Sequence, residues 1–171
     1  TLGVALATSM GILGGSLHVV MHAMGKITLF MCAGSIYVAT HKTNISQMTG
    51  LGRAMPITFI AFLIGSLSII GLPPLGGSWS KWLLIMGAAD DDQLAMIGIL
   101  LISSLLNVAY LLPLVGKGFF LKATTQISPQ KFAESPTLVW APPAFTAMGC
   151  IVLFFYAGHI QAFLMPIIAA H

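Results

Sequence analysis

The chain has 171 residues, 57% of them hydrophobic and 6% charged, with a formal net charge of +3. A soluble domain carries about a quarter charged residues, so this composition is that of an integral membrane protein. Its few, scattered cations exclude nucleic acid as a partner, and its two cysteines, Cys32 and Cys150, lie inside apolar runs with neither metal nor disulfide spacing.

In chain order, residues 1–7 read as the tail of a truncated membrane helix, with no signal peptide. The sequence is therefore expected to be a C-terminal fragment of a longer chain. The remainder, 8–171, is predicted to be a single membrane domain. Thr8 and Ser9 can start a helix over about 9–39, roughly 45 Å long, enough to cross a bilayer with tilt. A polar loop over 41–55 carries Lys42 and Arg53. A further helix is predicted over about 93–121, with Asn107 in its interior and Lys117 and Lys122 near its end. A polar linker over 123–136 holds Lys131 and Glu134. The last helix is expected over about 138–166, with Pro142 and Pro143 near its start.

Between the loop and the 93–121 helix, residues 56–89 pose the central question. Gly71-Leu72-Pro73-Pro74-Leu75-Gly76-Gly77 interrupts an apolar run, and no helix runs straight through it. The prolines remove two donors and clash with the preceding turn, while the glycines leave the backbone unrestrained. The pieces on either side are roughly 22 and 18 Å long, each too short for a hydrocarbon core of about 30 Å. Together they make one discontinuous crossing broken over 71–78. Irregular backbone at that depth survives only against protein or water, so the break should line a polar interior.

Loop charge agrees with a single crossing. The basic connections, 41–55 and 117–136, belong in the cytoplasm by the positive-inside rule, and the acidic turn Asp90-Asp91-Asp92 belongs outside. Both hold only if 56–89 crosses once. No internal repeat is visible.

Chemistry concentrates on two helices. His18, His22 and Lys26 stand at i, i+4 and i+8, stacking along one face at about 6 Å per step. Lys26 falls near the helix midpoint, and Lys81 lies in the first turn after the break. Ionisable groups at that depth cost several kcal/mol against lipid, so both lysines should face other helices or water. No carboxylate or cysteine accompanies the histidine pair, and Lys26 one turn on would repel a metal, so no metal site is expected. A proton path suits the set: imidazole exchanges protons near neutrality unaided, and a lysine can be brought there by desolvation. The N-terminal dipole of the helix carrying Lys81 and the carbonyl end of the piece before it act on that lysine in opposite senses, and the sequence leaves the balance open. Ser103, Ser104, Asn107 and Tyr110 lie on an otherwise apolar helix, where interhelical packing and a water path are both open readings. Lys117 and Lys122 read as snorkelling anchors and Asp90–Asp92 as a solvated turn. His41, His159 and His171 receive no role.

The motifs H-x-x-x-H-A-x-x-K-x-x-L-F-x-x-A-G at 18–34, G-L-G-R-x-M-P at 50–56 and G-L-P-P-x-x-G-x-x-S-K-W at 71–82 resemble the antiporter-like proton-translocating subunits. That family serves respiratory NADH–quinone oxidoreductase (complex I), membrane-bound hydrogenases and multisubunit Mrp-type cation/proton antiporters. The S-S-L-L-N-x-A-Y-L-L-P stretch at 103–113 looks most like the D component of the Mrp-type antiporters, with the complex I M and N subunits close behind. The resemblance implies an all-α polytopic bundle, of which this chain is the second half of an inverted-repeat fold with one discontinuous helix. It implies a central proton-carrying role for Lys81 and a polar axis through His18, His22 and Lys26. Ser78 departs from the pattern, standing where the family usually has Phe; the smaller polar side chain is expected to widen or wet the break, which puts tight gating there in question.

The expected function is a proton-translocating subunit of a multisubunit membrane complex, moving protons and exchanging them against Na⁺ or K⁺ as a cation/proton antiporter subunit. The alternative is a proton-pumping subunit of complex I or a membrane-bound hydrogenase, driven by redox chemistry elsewhere. A structural remnant that only packs against partner helices is the third reading. Enzyme status is open, since no flavin, Fe–S or nicotinamide motif is present and no cofactor is expected. Partners are the missing N-terminal half and other membrane subunits, in a bacterial cell membrane.

Overall fold

The computed structural model describes residues 2–6, 8–45, 48–121 and 134–169. Thr1, Lys122, Lys131 and His171 lie outside them. The described residues form α1 (Leu2–Ala5), α2 (Ser9–Thr40), α3 (Leu51–Ala54), α4 (Pro56–Ile70), α5 (Gly77–Asp90), α6 (Leu94–Phe120) and α7 (Thr137–Ala169), with no strand among them. The chain is an all-α membrane bundle with one discontinuous helix. α2, α6 and α7 are each long and apolar enough to cross a membrane, while α4 falls short.

α2 is the spine of the bundle. Thr8 caps its start by accepting from the Gly11 N–H at 3.0 Å, and the left-handed His41 (φ 53°) ends it with an N–H bond to Tyr37 O. Its 32 residues make about 48 Å of helix. The broken pair reads against it like a ruler. Ser35 meets Thr58 at 3.2 Å near one end, and Gly25 lies against Ile69. Beyond the break His18 meets Ser80, Gly14 lies against Leu83 and Leu84, and Thr8 bonds Gly87 O at 3.3 Å. The α5 contacts continue where the α4 contacts stop, so α4 and α5 make one crossing antiparallel to α2. α6 returns beside them, bonding its Lys117 carbonyl to the Gly50 N–H at 3.1 Å. α7 then runs back along α2, from Ser135 bonded to Ser35 at 2.6 Å to Ala157 packed near Leu17 and Met21. Arg53 and Glu134 thus lie at one end of the bundle and Asp90–Asp92 at the other.

Apolar burial holds the layers together: Cys32, Phe62, Ile69, Leu111 and Ala147 pack from α2, α4, α6 and α7. Buried hydroxyls join the same helices, Thr28 donating to Thr146 at 2.9 Å and Ser35 bonding both Thr58 and Ser135. Such bonds are worth roughly 0.6 kcal/mol each between membrane helices, modest beside the packing. The α1 segment folds onto the start of α2, with Leu6 against Leu84 and Ala88.

Glu134 closes the basic end. Its carboxylate accepts from the Ile57 N–H (2.6 Å), the Thr58 N–H (3.2 Å) and the Thr58 hydroxyl (2.8 Å). Pro56 at the first helical position lacks an N–H, so this one side chain satisfies the next two free donors of α4. We expect Glu134→Ala to cost about 1–2 kcal/mol and Glu134→Gln roughly half that, read as a lowered unfolding midpoint in detergent. Equal midpoints for all three proteins would refute the clasp.

Candidate functional site

The break itself is built by backbone geometry. Gly71 caps α4 in the left-handed region (φ 89°), sending its N–H to Leu67 O at 2.9 Å. The chain then turns through Pro73 and Pro74, with the Leu75 N–H bonded to Leu72 O at 3.1 Å, and α5 starts at Gly77. The Gly76 N–H is taken by Cys150 O of α7 at 3.1 Å. Ser78 donates to Leu75 O at 2.8 Å, which ties its hydroxyl to the turn.

Lys81 reaches back across this interruption. Its Nζ donates to Ile70 O at 2.8 Å and to Ser104 Oγ at 2.7 Å. The Ile70 carbonyl is one of the last acceptors of α4, which the helix leaves free. The amine therefore sits on the carbonyl end of the half-helix before it. This brings the end of α4 that attracts a cation into direct contact with the amine.

Two cavities meet at Lys81. One, of about 310 Å³, is lined by His18, His22, Lys81, Ser103 and Asn107, and Ile69 and Leu84 contribute to its walls. The other, of about 560 Å³, is mostly apolar, with Trp79, Trp82, Leu101 and Phe154 around Lys81, Ser78 and Ser104. No carboxylate lines either one. On the polar side His18 Nδ1 lies 2.9 Å from Ser80 Oγ, and Ser80 donates to Gly77 O at 3.1 Å. Ser80 Oγ thus lies within hydrogen-bond distance of both His18 Nδ1 and Gly77 O, and the direction of its bond to His18 follows the imidazole tautomer. The His22 ring stacks on that of His18, with centroids 5.0 Å apart.

The structure thus brings together four polar elements that the sequence scattered: the histidine pair, Lys81, the Ser103–Asn107 turn and the break. It does not bring in Lys26, which is exposed one turn beyond His22 and lines neither cavity. α4 packs on the neighbouring face of α2 at Gly25, against Ile69. Asn107 accepts from the Tyr110 hydroxyl at 2.6 Å, so part of its capacity serves its own helix. Sequence reasoning missed Ser80, which ties His18 to α5. The signal was there, in the S-K pair of the third motif.

A model of the NADH:quinone oxidoreductase/Mrp antiporter transmembrane family matches residues 1–107, the stretch that holds α2, the break and Lys81. The chain belongs to this family. NADH-quinone oxidoreductase subunit N of Desulforudis audaxviator (strain MP104C) is 36% identical over 79% of the chain and 26% of its own length. Subunit L of the same enzyme from Rickettsia conorii (strain ATCC VR-613 / Malish 7) is 32% identical over 88% of the chain and 22% of its own length. The chain therefore spans about a quarter of the length of these antiporter-family relatives. Among solved structures, the Mrp complex from Dietzia sp. DQ12-45-1b superposes with a TM-score of 0.82 over 93% of the chain and 37% of that one. At 21% identity this likeness speaks for the fold alone. The chain is an integral, multi-pass membrane protein of the antiporter-like family.

Proposed function

We propose that the protein is part of a proton-translocating subunit of a multisubunit membrane complex, with Lys81, His18 and His22 as its proton-carrying groups. One observation carries the reading: Lys81 stands at the break, between a cavity holding two imidazoles and a second cavity, with no carboxylate at hand. A lysine fixed only for structure has no use for a titratable pair across a cavity. An ammonium that must give up its proton needs an acceptor, and a neutral imidazole across the cavity supplies one. Transfer leaves a neutral amine on Lys81 and an imidazolium across the cavity, and the next proton restores the ammonium. Lys26 lies one turn further along α2 and would extend the path where the rest of the protein covers it. The basic end, with Arg53, faces the cytoplasm of a bacterial cell in this reading, and Asp90–Asp92 the far side.

Two settings fit. In one the path is coupled to Na⁺ or K⁺ as an antiporter; in the other it is driven by quinone redox chemistry in neighbouring subunits. The names of the relatives, NADH-quinone oxidoreductase subunits N and L, favour the second. The test is proton flux in vesicles carrying the full-length protein with its partner subunits. His18→Phe should lower flux about a hundredfold at matched protein levels, within the usual contribution of one proton-transfer group. Unchanged flux would remove His18 from the path.

A further inference from the structure

The Lys81 amine is held by two acceptors on two different helices, the Ile70 carbonyl at 2.8 Å and the Ser104 hydroxyl at 2.7 Å. Ile70 and Ser104 line the apolar cavity, whereas the neighbouring Ser103 lines the polar one with Asn107 and the two histidines. The stem of Lys81 is long enough to serve both sides. Its Cδ packs against Gly71, where a Cβ would stand 2.8 Å from it, so the glycine that ends α4 also makes room for the lysine. The titratable groups near this amine are few. From α2 there are His18 and His22, with Lys26 exposed a turn away. α4 presents none, α6 only neutral Ser103, Ser104 and Asn107, and α7 none to either cavity. With no counter-ion, two neutral acceptors do the holding.

We propose that Ser104 is a positioning residue, forming with the Ile70 carbonyl a seat in which Lys81 keeps its proton apart from the histidines. Transfer follows when the amine leaves this seat for the polar cavity and donates to an imidazole, returning as it regains a proton. The seat sets a two-position lysine, and Ser104 decides how much of the time the charged form occupies the outer position. This inference rests on the relay reading of Lys81, and it assigns to α6 a role distinct from lining the path. Loss of the hydroxyl removes a charge-assisted acceptor that no other side chain at the seat replaces. The carbonyl of Ile70 cannot be removed by substitution, so Ser104 is the half of the seat open to mutation.

The experiment measures proton flux in vesicles containing the full-length protein and its partner subunits, at matched protein levels. Ser104→Ala and the isosteric Ser104→Cys should each lower flux about tenfold, because neither offers a strong acceptor. Ser104→Thr keeps the hydroxyl and should stay within about twofold of the parent. Leu105→Ala trims the exposed neighbouring face of α6 and should leave flux unchanged. A structure of the full-length Ser104→Ala protein should show the Lys81 amine displaced from Ile70 O towards His18. Rescue by Thr but not Cys separates an acceptor from a space-filling role. Normal flux in Ser104→Ala, or a Lys81 amine still on Ile70 O, would overturn the seat. If Lys81→Arg and Lys81→Ala still abolish flux in that case, the relay survives without it; if Lys81→Arg is active, the relay itself fails.

Discussion

Replacing Lys81 by Arg is expected to stop proton flux nearly as completely as replacing it by Ala. Both changes should lower flux a hundredfold or more, as loss of a proton-transfer group does. Arg keeps the positive charge and can still donate to Ile70 O and Ser104 Oγ, the two acceptors that hold the lysine amine. It effectively never deprotonates, so it can occupy the position without relaying anything. An electrostatic anchor behaves differently. It would retain most activity as Arg and lose it as Ala, because anchoring needs only the charge on the carbonyl end of α4. The measurement is pH-gradient formation in vesicles carrying the full-length protein and its partner subunits. Membrane levels of every variant must match, so that failed assembly is not read as failed chemistry. Near-normal flux in Lys81→Arg would leave Lys81 as a structural charge.

Gly77→Ala is expected to have the largest effect on stability. α5 starts at Gly77, and its Cα faces the Ser68 carbonyl oxygen so closely that a Cβ would be driven into it. The obstacle is backbone in the last turns of α4, which a rotamer change cannot relieve. One half-helix must shift against the other. The expected cost is about 3 kcal/mol, at the upper end for an overpacked site, because both segments are pinned to α2 on either side of the break. Gly34→Ala serves as the comparison, since a Cβ there meets nothing within 4 Å. It should change stability by at most about 1 kcal/mol, in the stabilising direction. Thermal unfolding of the purified full-length protein reads the difference. A Gly77→Ala midpoint equal to that of Gly34→Ala would mean that the close approach is not needed. Because Ser80 and Lys81 follow three and four residues after Gly77 in α5, the same shift should also cost proton flux.

How deep each group lies along its helix was legible in the sequence. A helix rises by a fixed distance per residue, so spacing alone put His18 and His22 one turn apart on one face. The chemistry of Pro73, Pro74 and the glycines around them required an interruption, whatever packed against it. Membrane residence followed from the scarcity of charge, and membership of an antiporter-like family was readable from motifs whose residues stand in order. The end-to-end separation of Arg53 from Asp90–Asp92 was likewise implied once the broken segment counted as a single crossing.

Which way each group points was decided only by the tertiary structure. Helices that are apolar nearly all round carry no strong amphipathic signal, so the sequence does not say which face meets a neighbour and which meets lipid. Adjacent Ser103 and Ser104 look alike in sequence, yet one borders the polar cavity and the other holds Lys81. Lys26 continues the His18–His22 line by spacing, but the packing of α4 and α5 along α2 leaves the histidines half-buried at a cavity and that lysine exposed. The pull of two helix ends on Lys81 was a contest of position, and no residue count settles it. Packing sets the geometry: the break places the carbonyl terminus of α4 within reach of the side chain, and the amine folds back onto Ile70 O.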